Sequence, residues 1–89
     1  MYAAFRSIGA YVPEEIRDNQ WFTNRMDTTD EWIIKRTGIK ERRIAAKNEF
    51  TSDLGVKAAQ IAINRAGIEY DEIDLIVCAT ISPDYYCMP

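Results

Sequence analysis

Apolar positions along the chain change period several times, and each change predicts an element. Residues 2–8, Tyr-Ala-Ala-Phe-Arg-Ser-Ile, are short, rich in strand-compatible side chains and closed by Gly9 and then Pro13, which predicts a first strand and turn. Glu14 to Asp18 read as loop. Asn19 is a candidate N-cap for a short helix over roughly 20–25, with Trp21, Phe22 and Met26 as the apolar pattern there. Thr28-Thr29-Asp30-Glu31 has capping-box spacing: a threonine oxygen can accept an amide in the first turn while Glu31 reaches back. Acids at the start, Lys35 and Arg36 at the end and Gly38 in the C′ place then predict a compact helix over 29–37. Residues 39–46 alternate loosely, as an extended arm or strand, and Asn48-Glu49 marks a turn.

A longer helix follows, with Leu54, Ala58, Ile61, Ala62 and Ala66 recurring at three- and four-residue spacing, a cap at Thr51 or Ser52 and a stop at Gly67. Leu75-Ile76-Val77-Cys78-Ala79 is an unbroken apolar run, the pattern of a strand covered on both faces. Helix, loop and buried strand predict an α/β layer whose neighbouring strands are not supplied by these residues, so the chain reads as cut from a larger fold. No repeat or linker divides it.

Length and composition narrow the choice. Eighty-nine residues allow one small domain at most, and 47% apolar with 28% charged residues is a globular balance. A five-residue apolar run is too short to cross a bilayer, and no stretch near the start suits a signal-peptide core, so a cytoplasmic protein without membrane association is expected. Cys78 and Cys87 are too few and too differently placed for a disulfide framework or a zinc site, and no metal is expected. With no histidine, the commonest general base is missing, so a self-contained active site is not expected.

Charge is uneven. Residues 35–47 hold six bases and one acid, while the rest of the chain is acidic enough to bring the net charge to −3. That balance offers nucleic acid no extended positive face and suits a local anion site, or simply a solvated surface. Trp32 and Arg36, four residues apart, share one face of the expected helix, with Thr28 at its end. An indole beside a guanidinium can hold a flat heteroaromatic while the charge meets a phosphate. The same spacing also suits a tryptophan packed with Ile33 and Ile34 and covered by Arg36. No glycine-rich phosphate loop is present, so side chains would have to hold any phosphate.

The run from Asp27 to Arg42, Asp-Thr-Thr-Asp-Glu-Trp-Ile-Ile-Lys-Arg-Thr-Gly-Ile-Lys-Glu-Arg, closely resembles the N-terminal signature of the β-ketoacyl-acyl-carrier-protein synthase III family. Tyr11-Val12-Pro13-Glu14, Asn19, Ser52-Asp53-Leu54-Gly55, Ala66-Gly67-Ile68 and Leu75 to Thr80 continue the resemblance, which covers essentially all 89 residues. The resemblance implies an α/β, thiolase-like fold of two similar halves, with residues 1–89 the opening part of the first half and no second domain in the chain. It implies an acyltransferase that starts fatty-acid synthesis, condensing acetyl-CoA with malonyl-ACP to acetoacetyl-ACP with release of CO2. Acetyl-CoA is then a substrate, no cofactor is needed, and the complete protein is a homodimer.

In that family a cysteine, a histidine and an asparagine do the chemistry, and all three lie beyond these residues. The resemblance therefore implies no catalytic residue here, and neither Cys78 nor Cys87 takes the nucleophile's role. It assigns Trp32 to stack on adenine, Arg36 to clamp it and contact phosphate, Thr28 to line the CoA site, and Met88 to reach the partner's acyl pocket. Two other readings stay open: a related starter-unit synthase with another acyl primer, and a non-catalytic CoA- or nucleotide-binding module. A third, an anionic-polymer binder using residues 35–47, would show salt-sensitive association with nucleic acid.

Overall fold

The computed structural model describes residues 2–86. Met88 and Cys87 lie outside them. Two compact units divide the chain, one made of Val12–Asn48 and the other of Met1–Tyr11 with Glu49–Pro89.

In the first unit, β1 (Glu15–Asp18) runs directly into α1 (Asn19–Thr23), followed by α2 (Asp30–Thr37) and β2 (Glu41–Ile44). The strands pair antiparallel, with Glu15 opposite Ile44 and Asp18 opposite Glu41. The loop expected at 14–18 is therefore a strand. Its sequence, Glu-Ile-Arg-Asp, carries no apolar alternation, and the partners that order it lie 23 to 29 residues away. The helix expected over 20–25 ends at Thr23, and its N-cap is Asp18, whose Oδ1 accepts the Trp21 amide at 3.1 Å. Asn19, expected as the cap, is the first helical residue and is buried.

α2 begins one residue later than expected. Thr29 is its N-cap, with Oγ1 accepting the Trp32 amide at 3.1 Å, which leaves the Thr28 hydroxyl free of capping duty. Gly38 closes the helix at φ 72°, a left-handed conformation that costs a residue with a Cβ about 1–2 kcal/mol.

The second unit is organised by α3 (Thr51–Ala66), closed by Gly67 at φ 69° and followed by a 3₁₀ turn, η1 (Tyr70–Glu72). Its N-cap is Phe50 rather than Thr51 or Ser52. Two carboxylates serve the exposed amides of its first turn instead: Asp53 accepts from Phe50 N–H at 2.8 Å, and Asp84 from Ser52 N–H at 3.0 Å. The Ser52 hydroxyl also donates to Asp84, and Thr51 Oγ1 to the Ser82 carbonyl. Nearby, Lys57 Nζ donates to Tyr11 Oη at 3.3 Å; this bond, with help from Glu49, holds the ammonium's pKa above its ordinary value.

Hydrogen bonds from Ser52 hold the Asp84 carboxyl below the ordinary aspartate range. A lowered folded-state pKa means that the capping contribution is fully present above the unfolded value and disappears as pH falls through the folded one. Protection of the Ser52 amide, its exchange taken relative to the intrinsic rate at each pH, should therefore be full at neutral pH and fall only below the ordinary aspartate range. In Asp84→Asn it should lose this pH dependence, and an unchanged profile there would remove Asp84 from the cap.

The strands expected at 2–8 and 75–79 are not formed among the described residues. Both segments lack a ladder partner there, and a run of β-prone residues without a neighbouring strand has nowhere to place its backbone hydrogen bonds. Leu75, Ile76 and Val77 are about four-fifths exposed, and Cys78, read as a core cysteine, is exposed as well. No apolar side chain is fully buried among the described residues.

Candidate functional site

The turn between α1 and α2 and the facing side of α2 enclose a cavity of about 590 Å³, within the usual range for small-molecule sites. Phe22 and Met26 form one side, Asp27, Thr28 and Thr29 the mouth of α2, and Trp32, Ile33 and Thr37 the helix face, with Arg42 reaching in from β2. The spacing of Thr29, Ile33 and Thr37 is a strict four-residue row, which is why one helix face supplies that wall.

Trp32 is 55% exposed, so its ring is only partly covered by the protein. The Arg36 guanidinium stands 5.4 Å from the ring centroid, inside the cation–π range, and Arg36 itself is not one of the lining residues. Thr28 does line the cavity, and its Oγ1 is buried with no hydrogen-bond partner. A buried hydroxyl left unpaired costs about 1–3 kcal/mol. The three residues singled out in the sequence thus lie on or beside one concavity. Met88 falls outside the described residues.

Two residues at this place were not singled out as site residues in the sequence. Phe22 forms part of the wall, and the Arg42 guanidinium lies 4.5 Å from its ring centroid. Arg42 is held by the carbonyls of Arg17 and Asp18, each at 3.1 Å, and by Asn19 Oδ1 at 2.7 Å. Its place in the basic 35–47 segment and at the end of the Asp27–Arg42 run were the available signals, and neither identifies a partner 20 residues upstream. Chemically the site can bind: its lining offers aromatic faces, the Arg42 guanidinium, the Asp27 carboxylate and three threonine hydroxyls, with the Arg36 guanidinium beside Trp32. Among the described residues no cluster of acids, cysteines or histidines is placed to hold a metal ion, and no helix is long and apolar enough to cross a membrane.

No protein-family model matches the chain. Curated relatives do. It is 73% identical over 88 residues to a β-ketoacyl-[acyl-carrier-protein] synthase III of Sulfurimonas denitrificans, covering 99% of this chain and 26% of that protein. To the protein of the same name from Sulfurovum it is 64% identical over 89 residues, again 26% of the relative. Solved structures agree. A β-ketoacyl-acyl-carrier-protein synthase III from Thermus thermophilus superposes with a TM-score of 0.67 at 51% identity, covering 71% of this chain and 20% of that one. The priming β-ketosynthase of the R1128 polyketide pathway gives 0.73 at 35% identity, over 86% and 25%. The chain spans about a quarter of the length of the curated relatives it matches. From end to end it is the counterpart of that quarter of a β-ketoacyl-acyl-carrier-protein synthase III, and its fold is part of the same α/β, thiolase-like architecture.

Proposed function

We propose that these 89 residues are the N-terminal quarter of a condensing enzyme that starts fatty-acid synthesis, and that they supply part of its CoA site. The complete enzyme is an acyltransferase: it takes the acetyl group of acetyl-CoA, decarboxylates malonyl-ACP and joins the two as acetoacetyl-ACP. It works as a cytoplasmic homodimer without a cofactor, and residues 1–89 belong to the first thiolase-like half. The reacting cysteine, histidine and asparagine come from later in the protein, so this segment alone is inactive.

The observation that carries the CoA reading is the half-exposed Trp32 ring on a cavity that Thr28, its hydroxyl unpaired, also lines. An adenine has the two properties this pair asks for: a flat π-face for the indole and ring-edge polar groups for the hydroxyl. Arg36, beside the ring, adds a cation–π contact and a charge for the neighbouring phosphates.

In the full-length enzyme, Trp32→Ala should weaken use of acetyl-CoA by about 2 kcal/mol, the scale for losing one base–aromatic stack. Arg36→Ala should weaken it in the same direction. Steady-state kinetics with acetyl-CoA varied and malonyl-ACP saturating reads both effects. Unchanged KM in Trp32→Ala would remove the stacking role. The structural match to a priming polyketide synthase supports one second reading, a starter-unit synthase with a different acyl primer, and a primer scan across short acyl-CoAs separates the two.

A further inference from the structure

The only fully buried polar side chain among the described residues is Asn19, at 1% exposure. It is saturated. Its Nδ2 donates to Asp30 Oδ1 at 2.7 Å and to the Ile39 carbonyl at 2.9 Å, its Oδ1 accepts from Arg42 Nη2 at 2.7 Å, and its backbone N–H donates to the Lys40 carbonyl at 3.2 Å.

The positions of these partners matter more than their number. Asp30 is the first residue of α2, while Ile39 and Lys40 follow Gly38 at its other end. An eight-residue helix is about 12 Å long. One buried residue therefore fastens both ends of the helix that carries Trp32 and Arg36, and ties it to the strand that brings Arg42 to the cavity wall. A buried polar network of this kind is a costly way to gain stability, since well-packed apolar groups of similar volume do as well or better. What it does provide is a single geometry, because each bond has one direction and one length.

We propose that Asn19 is a positioning residue for acyl-CoA: it fixes the setting of α2, and so the placement of Trp32 and Thr28, without touching the ligand. The proposal rests on the CoA reading above. Asn19→Asp would set a carboxylate against Asp30 and the Ile39 carbonyl, and Asn19→Ala would leave Asp30, Ile39 and Arg42 without their common partner.

The test uses the full-length enzyme, with acetyl-CoA and malonyl-ACP as substrates and a thermal melt of each variant. Asn19→Ala is expected to raise KM for acetyl-CoA about tenfold, leave KM for malonyl-ACP within about twofold and keep kcat within about threefold. Asp30→Ala, which leaves Asn19 its bonds to Ile39 and Arg42 and so disturbs folding less, is expected to shift the same parameter in the same direction by a smaller factor. It decides the matter if Asn19→Ala does not fold. A purely structural role would instead lower kcat through the loss of active molecules, with both KM values unchanged, and that result overturns the proposal. Trp32→Ala run alongside separates the failures. If it raises KM for acetyl-CoA while the Asn19 and Asp30 variants do not, positioning is wrong and the CoA reading stands. If Trp32→Ala leaves that KM unchanged, the CoA reading falls and this proposal falls with it.

Discussion

Arg42→Ala is expected to destabilise the protein by about 3 kcal/mol, read as a fall in the denaturant midpoint at constant slope. One guanidinium holds the carbonyls of Arg17 and Asp18 and the Asn19 side-chain oxygen, and covers the Phe22 ring. Hydrogen bonds to a charged donor contribute about 1.5–3 kcal/mol, and an orphaned buried amide oxygen costs about 1–3 kcal/mol. These figures overlap, because the bonds act as a unit and water can enter once the side chain is cut back, which keeps the expectation well below their sum. Arg42→Lys discriminates charge from shape. An ammonium restores the charge and lacks the planar fork, so it should recover less than half of the loss. A change within about 0.5 kcal/mol in Arg42→Ala, the usual range for an inconsequential surface site, would show that the network adds nothing to stability.

That network also marks the limit of what the sequence could tell. Elements specified within one turn of helix were legible. Thr29, Asp30, Glu31 and Gly38 announce α2 because a cap, a dipole partner and a left-handed stop act on neighbouring residues. The end of α3 at Gly67 was legible for the same reason. Features specified by residues far apart were not. β1 has no apolar alternation and becomes a strand only because β2 lies beside it. The first turn of α3 takes its second carboxylate from Asp84, 32 residues downstream of Ser52, so the local candidates Thr51 and Ser52 looked sufficient and were not the N-cap. Asn19 looked like a cap because its type favours caps, and its neighbour Asp18 took that place while Asn19 went inward.

The opposite error, at 2–8 and 75–79, has one cause. Both segments have the composition of strands, and composition describes a fit to a pleated, half-buried surface rather than an intrinsic backbone preference. Without neighbouring strands among the described residues the fit has no object, and the side chains that would be covered stand exposed. For the candidate site, spacing placed Trp32 and Arg36 on one helix face. It could not reveal the cavity, whose far wall comes from Phe22 and Arg42, nor that the Thr28 hydroxyl is left without a partner.

Gly9→Val should cost about 3 kcal/mol, at the upper end of what overpacking does. A Cβ at this position would come within 2.6 Å of the Ala62 backbone nitrogen and 3.2 Å of its Cα, and nearer still to the Ala58 carbonyl oxygen. All three atoms belong to the backbone of α3, so no side chain can swing aside and the segment itself must lift away. Lifting breaks the bonds on either side of the glycine: Ser7 Oγ to the Ala62 carbonyl at 2.5 Å, and Arg65 Nη1 to the Ile8 carbonyl at 3.0 Å. Small residues at 58 and 62 are what permit so close an approach, which gives the alanines of α3 a packing role that helix propensity alone would not assign. Gly55, in the same helix, is the control. A Cβ there meets nothing within 4 Å, so Gly55→Ala should stabilise by roughly 0.5–1 kcal/mol through helix propensity. Denaturant midpoints for the two variants in the full-length enzyme, with amide exchange along α3, test both signs. A Gly9→Val protein as stable as the parent would mean that residues 7–9 do not rest on α3.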